Sequence, residues 1–445
     1  MFSGSLKSHD VICAVATPPG IGAIGIVRLS GPELDPYIYA LCNQRLRPRE
    51  ASLTNFHDQN GVILDQGLAI FFPKPYSYTG EDVLELHLHG NPFILDSVLN
   101  RLLNLGARLA DPGEFTLRAF LSGKMDLAQA ESVADLIEAS SMAAVRAAQK
   151  TLHGEFSQKI NAIAESLLQL RAVVEASLDF SEEAIEPESD QWAIKLHDLI
   201  DTLQTLMCCA NQGVILQEGV MVVIAGPPNA GKSSLLNCLA HDDLAIVTPI
   251  AGTTRDSIRA QINFAGLSLE IVDTAGIRKP TDEVEAIGIE KSKALLHRAN
   301  IVLWVTEASL PLDMSFKENL THEQKIILVR NKIDTHNIQA GAGIEEGLPV
   351  VYLSAKTGEG LKNLENELKA LAPKHEKGVF IARRRELQSL QKAKNFLEEG
   401  QDVVEAPELL GEFLALAHHA LGEITGKVTA DDILGEIFSR FCIGK

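Results

Sequence analysis

The stretch Gly226-Pro227-Pro228-Asn229-Ala230-Gly231-Lys232-Ser233 decides the reading of this chain. It has the form G-x-x-x-x-G-K-[ST], with the strand-like run Val220-Met221-Val222-Val223-Ile224-Ala225 before it and the helical run Ser234-Leu235-Leu236-Asn237-Cys238-Leu239-Ala240 after it. A glycine-rich loop between a strand and a helix turns backbone N–H groups and the positive helix end toward phosphate. Lys232 can reach the β and γ phosphates of a nucleotide, and the Ser233 hydroxyl can ligate Mg²⁺. Asn229, Ala230, Gly231 and Ser234 complete the expected phosphate contacts. An ordinary glycine turn is the competing reading, and the residues downstream decide against it.

From Gly219 to about Leu371, strands alternate with helical stretches. Val220 to Ala225, Leu269 to Asp273, Ile301 to Thr306, Lys325 to Arg330 and Val350 to Leu353 are mostly continuous apolar runs, as strands of a buried parallel sheet require. The pattern predicts a doubly wound α/β domain. Short motifs follow its strands in order. Ile250-Ala251-Gly252-Thr253-Thr254-Arg255-Asp256 offers a threonine, Thr254, to complete Mg²⁺ coordination when a γ-phosphate is present. In Asp273-Thr274-Ala275-Gly276 the aspartate can hold Mg²⁺ through water and the Gly276 N–H can meet the γ-phosphate. Asn331-Lys332-Ile333-Asp334 reads the base, because the Asp334 carboxylate offers acceptors to the N1–H and exocyclic amine of guanine. Adenine would leave that carboxylate partly unpaired, which a buried site rejects strongly. Ser354-Ala355-Lys356 supplies a backbone N–H for guanine O6. The whole series in one domain implies a GTPase.

Two features set this GTPase domain apart. Ile277 follows Gly276, where many small GTPases keep a glutamine that orients the attacking water. A carboxylate from Asp282-Glu283-Val284-Glu285 can take that role, although an exposed acidic helix start explains the same run. No arginine is placed as a finger, with Arg255 and Arg278 merely nearby. Asn229, with carbonyls from the Thr248 to Thr253 loop, can hold a monovalent cation where an arginine would otherwise neutralise charge.

The 445 residues exceed one typical domain and predict about three. With 46% hydrophobic and 22% charged residues the composition is that of a globular chain, neither disordered nor fibrous. Lys plus Arg number 40 against 59 Asp plus Glu, a formal charge of -19, so any nucleic-acid contact must be local. Arg383-Arg384-Arg385 is the candidate patch, with a solvated helix start as the other reading. Six cysteines without C-x-x-C spacing fit a reducing compartment. The N-terminus does not read as a signal peptide and no apolar run is long enough to span a bilayer, so no membrane role and a cytoplasmic location are expected.

Outside the GTPase domain the chain has two characters. Residues 1–124 read as a β-rich α+β domain. Val11 to Ala16 and Ala23 to Leu29 flank the turn Thr17-Pro18-Pro19-Gly20, and Gly67 to Phe72 and Asp82 to Gly90 add two strands. The last alternates at a strand period, with Asp82, Glu85, His87 and His89 as its polar set. Glu85 is read as leaving that alternation at a change of face between Val83 and Leu84. A solvated sheet face and a ligand pocket both explain the set, whereas His87 and His89 as zinc ligands lack a third. A helix follows from Phe93 to Leu105.

Residues 125–217 and 373–445 turn helical on either side of residues 218–372, the GTPase segment. Asp126 caps a helix from Leu127 to Ala139, and Ile160, Ile163, Ala164, Leu167, Leu168, Leu170 and Val174 recur at helical spacing along one long amphipathic helix. Phe180 to Asp190 suits a loop, and Trp192 to Leu216 a further helix. Arg384 to Glu399, Pro407 to Leu421 and Ala430 to Phe441 are helical, the last with Thr429 and Asp432 placed as a capping pair. Neither block completes a core alone. The expectation is one helical bundle built from two chain segments, with the α/β domain inserted between them.

These residues resemble the tRNA-modifying GTPase family MnmE, also called TrmE. The resemblance spans the chain through Thr17-Pro18-Pro19-Gly20, Gly80-Glu81-Asp82-Val83-Leu84-Glu85, Pro112-Gly113-Glu114-Phe115, Asp126-Leu127-Ala128-Gln129-Ala130-Glu131, the GTPase motifs and the terminal Phe441-Cys442-Ile443-Gly444-Lys445. It implies an N-terminal tetrahydrofolate-binding domain that makes a homodimer. It implies action with the FAD-dependent flavoprotein MnmG on C5 of the wobble uridine of certain tRNAs. The aminomethyl or carboxymethylaminomethyl group added there draws its one-carbon unit from a 5-formyl or methylene folate.

By motif, Arg28, Glu85, Lys124 and Lys445 match folate-contacting positions; Asn229, Thr248, Ile250 and Thr253 match K⁺ positions; and Glu285 matches the water-orienting carboxylate. Potassium-dependent pairing of the GTPase domains would explain the missing arginine finger. Cys442 is the family's terminal thiol, and a small buried residue and a functional thiol both remain open for it. The alternative from another class is a ribosome- or RNA-associated assembly GTPase without modification chemistry.

Overall fold

The computed structural model describes residues 10–139, 141–179, 189–218, 220–241, 259–264, 267–273, 299–313, 324–371, 379–428, 431–439, 441–442 and 444. Two compact units are formed: Met1–Ile137, Thr151–Gln204 and Gln388–Lys445 make one, and Glu138–Lys150 and Thr205–Leu387 the other.

The first unit begins with β1 (Ile12–Val15), β2 (Ile24–Gly31), α1 (Asp35–Cys42), β3 (Ser52–His57), β4 (Ile63–Phe72), β5 (Asp82–His89), α2 (Pro92–Asn104), β6 (Arg108–Leu109) and α3 (Glu114–Leu121). The strands form one sheet in the order β3-β4-β5-β2-β1-β6. Only β1 and β6 run parallel; the other pairs are antiparallel. Alternation sorts the side chains. Val27, Leu29, Leu84, Leu86 and Leu88 pack with Ile38 and Leu41 of α1 and Val98 and Leu102 of α2. The opposite phase carries Arg28 and Glu85, which are direct register partners across β2 and β5.

This corrects the reading of Glu85. It keeps the alternation with His87 and His89, and Asp82 is the residue out of phase. The Asp82 carboxylate accepts the Lys74 N–H at 2.9 Å, a turn role away from the strand ladder.

The helical part comprises α4 (Leu127–Glu138), α5 (Met142–Leu152), α6 (Glu155–Asp179) and α7 (Ser189–Glu218). Asp126 caps α4 as expected, in a reciprocal pair: the Gln129 N–H donates to Asp126 Oδ1 at 2.9 Å and the Asp126 N–H to Gln129 Oε1 at 3.0 Å. The loop expected over Phe180 to Asp190 lies outside the described residues up to position 188.

The second unit contains β7 (Val220–Ala225), α8 (Lys232–His241), β8 (Arg259–Phe264), β9 (Leu267–Asp273), β10 (Ile301–Glu307), β11 (Lys325–Asn331), α9 (Ile333–His336), β12 (Gly341–Glu345), β13 (Leu348–Tyr352) and α10 (Leu361–Leu371). The sheet order is β12-β13-β11-β10-β7-β9-β8. The five inner strands are parallel, and β8 and β12 are antiparallel edges. Val222, Ile224, Leu303, Val305, Ile327 and Val329 pack with Leu235 and Leu239 of α8 and Leu364 and Leu368 of α10. Both edges escaped the sequence reading. Gly341-Ala342-Gly343-Ile344-Glu345 has glycines where strands favour branched residues. What anchors β12 is the buried Arg330, whose guanidinium grips the Glu345 carboxylate through Nε at 3.0 Å and through Nη2.

The chain ends with α11 (Arg384–Gln401), α12 (Pro407–Thr425) and α13 (Asp431–Ser439). In the first unit α12 lies along α6, and α13 meets α3. Phe438 stacks near Phe120 and Phe441, with ring centroids 6.4 and 5.3 Å away, in a core shared with Leu117, Leu127 and Ala130. N-terminal and C-terminal chain segments therefore complete one apolar core. α12 runs four residues past the expected end at Leu421, to the left-handed cap Gly426 (φ 79). Thr429, the proposed cap of α13, lies outside the described residues.

Candidate nucleotide-binding site

Strand β7 sits between β9 and β10, the point where successive strands depart to opposite sides of the sheet. Loops at the carboxyl end of such a strand open into a crevice that suits a ligand. The loop there is Gly226 to Gly231, and Lys232 and Ser233 open α8. Its backbone is shaped by glycine where nothing else fits. Gly226 has φ 146, and a Cβ on it would lie 2.0 Å from the Val305 carbonyl oxygen; Gly231 has φ 92, and its Cβ would lie 2.2 Å from Asn331 Nδ2. Asn229 also takes a left-handed conformation, φ 62, which asparagine tolerates. The buried Lys232 ammonium donates to the Gly226 and Pro227 carbonyls at 3.0 and 2.9 Å. A phosphate oxygen, being charged, is a stronger acceptor for that ammonium than either carbonyl.

Asn331 organises the site from the far side. Its Nδ2 donates to the Ala230 carbonyl at 2.8 Å, and its Oδ1 accepts the Ala355 N–H at 2.9 Å. One buried amide therefore joins the phosphate loop to the Ser354–Lys356 segment. Ser354 is buried and its Oγ accepts the Thr357 N–H at 3.2 Å, whereas Lys356 is exposed. Lys332 adopts φ 66 ahead of the single turn α9, in which Asp334 is exposed. Asp273 closes β9, level with Ile224 in the parallel ladder. Asn229, Ser233 and Ser234 are exposed at the loop. Through the Asn331 amide the structure brings the Asn229 to Ser234 loop, the Asn331 to Asp334 turn and the Ser354 to Lys356 segment together. Thr248, Ile250, Thr253, Thr254, Arg255, Thr274, Ala275, Gly276, Ile277, Arg278 and Glu285 lie outside the described residues.

A second cluster of expected residues forms in the first unit. Arg28 donates to Glu85 Oε1 from Nε at 3.0 Å and from Nη2 at 2.8 Å, and from Nη1 to the Gly444 carbonyl at 3.2 Å. The rings of Tyr78 and Phe115 lie 5.6 and 5.8 Å from its guanidinium carbon. The C-terminal tail is packed tightly there: Gly444 has φ 94, and a Cβ would lie 2.6 Å from the Val15 carbonyl. Lys124 Nζ donates to the Pro75 carbonyl at 3.0 Å, on the loop that also carries Tyr78. Lys445 lies outside the described residues. Cys442 is exposed, and its carbonyl accepts the Gly113 N–H at 3.4 Å. By contrast Cys13 and Cys42 are buried, which pushes their thiols up to about 11 and about 12.

The whole length of the chain can be compared with known proteins. The family model "MnmE helical domain" matches residues 127–442, and "GTP-binding protein TrmE N-terminus" matches residues 11–124. The chain belongs to the MnmE (TrmE) family. A relative from Dechloromonas aromatica (strain RCB), "tRNA modification GTPase MnmE", is 48% identical over 452 residues, which cover 98% of this chain and 99% of that protein. One of the same description from Legionella pneumophila subsp. pneumophila is 49% identical, covering 98% of this chain and 100% of its own.

Membership of the MnmE family gives the remaining polar clusters a frame. Tyr78 and Phe115, which flank Arg28, were missed in the sequence because neither stands near it in the chain. The Tyr78 hydroxyl pairs with Thr116 Oγ1 at 2.8 Å. Also missed was an ion network that runs from the surface to the nearly buried Arg118 and Glu114: Arg118 binds Asp10, Glu81 and Glu114, and the exposed Arg108 binds Asp10 and Glu114. Burial alone would raise the Glu114 carboxyl, but hydrogen bonds from Arg108 and the Asp111 N–H outweigh it and hold the carboxyl below its ordinary range. Its only hint was Glu114 within Pro112-Gly113-Glu114-Phe115.

His89 pairs with Asp65 at 2.8 Å and His87 lies 3.4 Å from Glu85, and no group of three metal-ligating residues occurs among the described residues. Of the Arg383 to Arg385 run only Arg384 is exposed, so no continuous basic patch forms. Among the described residues no helix is long and apolar enough to cross a membrane.

Proposed function

We propose that this protein hydrolyses GTP and that the hydrolysis serves tRNA modification. The observation that carries the reading is the Asn331 amide, hydrogen-bonded at once to the phosphate loop and to the Ser354–Lys356 segment. That link sets a base-reading turn and a phosphate cradle at the two ends of one crevice. Lys232 and the loop N–H groups hold the β and γ phosphates. Asp334 accepts from the guanine edge, and the Ala355 region faces O6. Ser233 and Thr254 hold Mg²⁺, which neutralises charge on the transferred phosphoryl group. Asn229, Thr248, Ile250 and Thr253 hold K⁺, and Glu285 orients the attacking water. The GTPase segments of two copies pair to complete the site, in a homodimer made through residues 1–124.

The second cluster takes a tetrahydrofolate derivative. Glu85 Oε2 meets His87 only at 3.4 Å, so the carboxylate retains acceptor capacity for an amino-substituted ring, and the Tyr78 and Phe115 rings offer apolar surface beside Arg28. Lys124 and Lys445 suit the anionic end of such a ligand. The partner is the flavoprotein MnmG, which brings FAD, and the target is C5 of a wobble uridine. The four chain segments 1–124, 125–217, 218–372 and 373–445 serve as folate, helical, GTPase and returning helical segments of a cytoplasmic protein.

Replacing Na⁺ with K⁺ is expected to raise GTP turnover by about tenfold or more, given what a lost charge stabiliser costs. Equal rates would remove the cation from the scheme. Glu285→Ala should abolish turnover while GDP affinity stays within about twofold. Loss of the modified wobble uridine from tRNA on deletion of the gene tests the cellular role.

A further inference from the structure

Glu307 closes β10, and the scheme above gives it no part. Its register partner in the parallel ladder is Asn331, so the end of β10 runs beside the start of the base-reading turn. The Ala308 N–H donates to the Asn331 carbonyl at 2.8 Å, which locks the two backbones together. The Glu307 carboxylate then reaches over that turn with both oxygens. Lys332 Nζ donates to Oε2 at 2.8 Å, and His336 Nε2 lies 3.1 Å from Oε1. Together they hold the carboxyl below its ordinary value.

Lys332 and His336 are the two ends of one element. Lys332 immediately precedes α9 and His336 is its last residue, with Asp334 between them. A four-residue turn cannot hold itself, because nucleating helix fixes several dihedrals for a single hydrogen bond. Lys332 also sits at positive φ, 66, a conformation that a lysine adopts when its surroundings impose it, whereas Asn337, at φ 55, is a left-handed cap that asparagine tolerates. The turn is held from below by its buried Ile333, whose N–H donates to the Leu353 carbonyl at 3.4 Å and whose carbonyl accepts the Asn337 N–H, and by the Thr335 hydroxyl and N–H on the Lys332 carbonyl at 2.8 and 3.1 Å; the Glu307 bridge is the tie that joins Lys332 to His336.

We infer that Glu307 is a positioning residue for guanine recognition, bridging Lys332 and His336 and thereby setting the turn that carries Asp334. The inference rests on the reading of Asn331 to Asp334 as the base-reading element. The pair is about a third exposed, where ion pairs contribute little to folding. The effect belongs in base selectivity rather than in stability.

The test is equilibrium binding of GDP and of IDP, which lacks the exocyclic amine, to the full chain, together with steady-state GTP hydrolysis. Glu307→Ala should weaken GDP about tenfold and shrink the preference for GDP over IDP about threefold, because the misplaced carboxylate loses most on the amine it alone recognises. KM for GTP should rise by the same factor of about ten with kcat within about twofold. His336→Ala should cost about threefold, and Glu307→Ala with His336→Ala together no more than Glu307→Ala alone, since His336 acts through that carboxylate.

Equal weakening of GDP and IDP, or additive losses in the double variant, overturns the inference. If Glu307→Ala fails to fold, Glu307→Gln keeps the shape without the charge and reads the same ratios. Asp334→Asn separates the two levels. If it leaves GDP affinity intact, the base-reading assignment fails; if it weakens GDP while Glu307→Ala does not, only the role of Glu307 fails.

Discussion

Removing the Asn331 amide would leave the Ala230 carbonyl and the Ala355 N–H buried without their partner, and each buried unpaired group costs about 1–3 kcal/mol. Asn331→Ala should therefore lower the stability of the nucleotide-binding unit by about 2–4 kcal/mol even without nucleotide, measurable by urea titration. An unchanged midpoint would mean that the amide is not a strut. Glu114 makes a different residue-scale prediction. Its carboxyl is held below its ordinary value of about 4.3 in the folded state, so the unfolded chain binds the proton first. The stability it contributes is complete above that value and is lost as pH falls through the lower, folded value. Thermal unfolding of the N-terminal sheet should thus be flat near neutrality and drop below about pH 4.5, with a shallower drop in Glu114→Gln. Both residues were visible as letters of motifs. Their structural duties were not, because a motif records which residue stands at a position and says nothing of the polar atoms that meet it from elsewhere.

At the scale of elements, glycine separates close approach from open surface. Gly213 on α7 faces the returning chain so tightly that a Cβ would lie 1.6 Å from the Phe380 carbonyl oxygen. Gly411 on α12 would meet nothing within 4 Å. Alanine has the better helix propensity, by about 1 kcal/mol, at both positions. At Gly411 that is the whole effect, and Gly411→Ala should stabilise by about 0.5–1 kcal/mol. At Gly213 two backbones must separate, so Gly213→Ala should destabilise by about 2–3 kcal/mol despite the propensity gain. Calorimetry of the two variants checks the opposite signs, and a shared sign would refute the packing argument. Helices and buried strands were legible here because their apolar periods are local. The edge strands β8 and β12 were not: what places β12 is its ladder with β13 and the Arg330–Glu345 pair, neither of which leaves a periodic trace.

For the molecule as a whole, the arrangement to test is the return of the C-terminal helices to the N-terminal core. α12 runs along α6, Lys427 Nζ donates to Asn161 Oδ1 at 2.8 Å, and Phe438 and Phe441 share a core with Leu117 and Leu127. A protease site engineered between Leu371 and Val379 should yield a C-terminal fragment that co-elutes with the remainder in native gel filtration and parts from it only in denaturant. Release under native conditions would contradict the shared core. The formal charge of -19 and the exposure of only Arg384 in its run mean that any nucleic acid would have to be met by local contacts. Sequence alone was enough for the loop between β7 and α8 and for the helices and buried strands that it predicted among the described residues. Those properties are carried by residue type at fixed short spacing, and short spacing survives whatever the rest of the chain does. The meeting of Arg28 with Glu85, 57 positions away, and with Gly444, 416 positions away, was settled only by the folded chain, as was the grip of Glu307 on both ends of the turn α9. Such contacts depend on strand register and on which segments share a core, and those follow from the total burial of apolar surface across the unit rather than from any local preference.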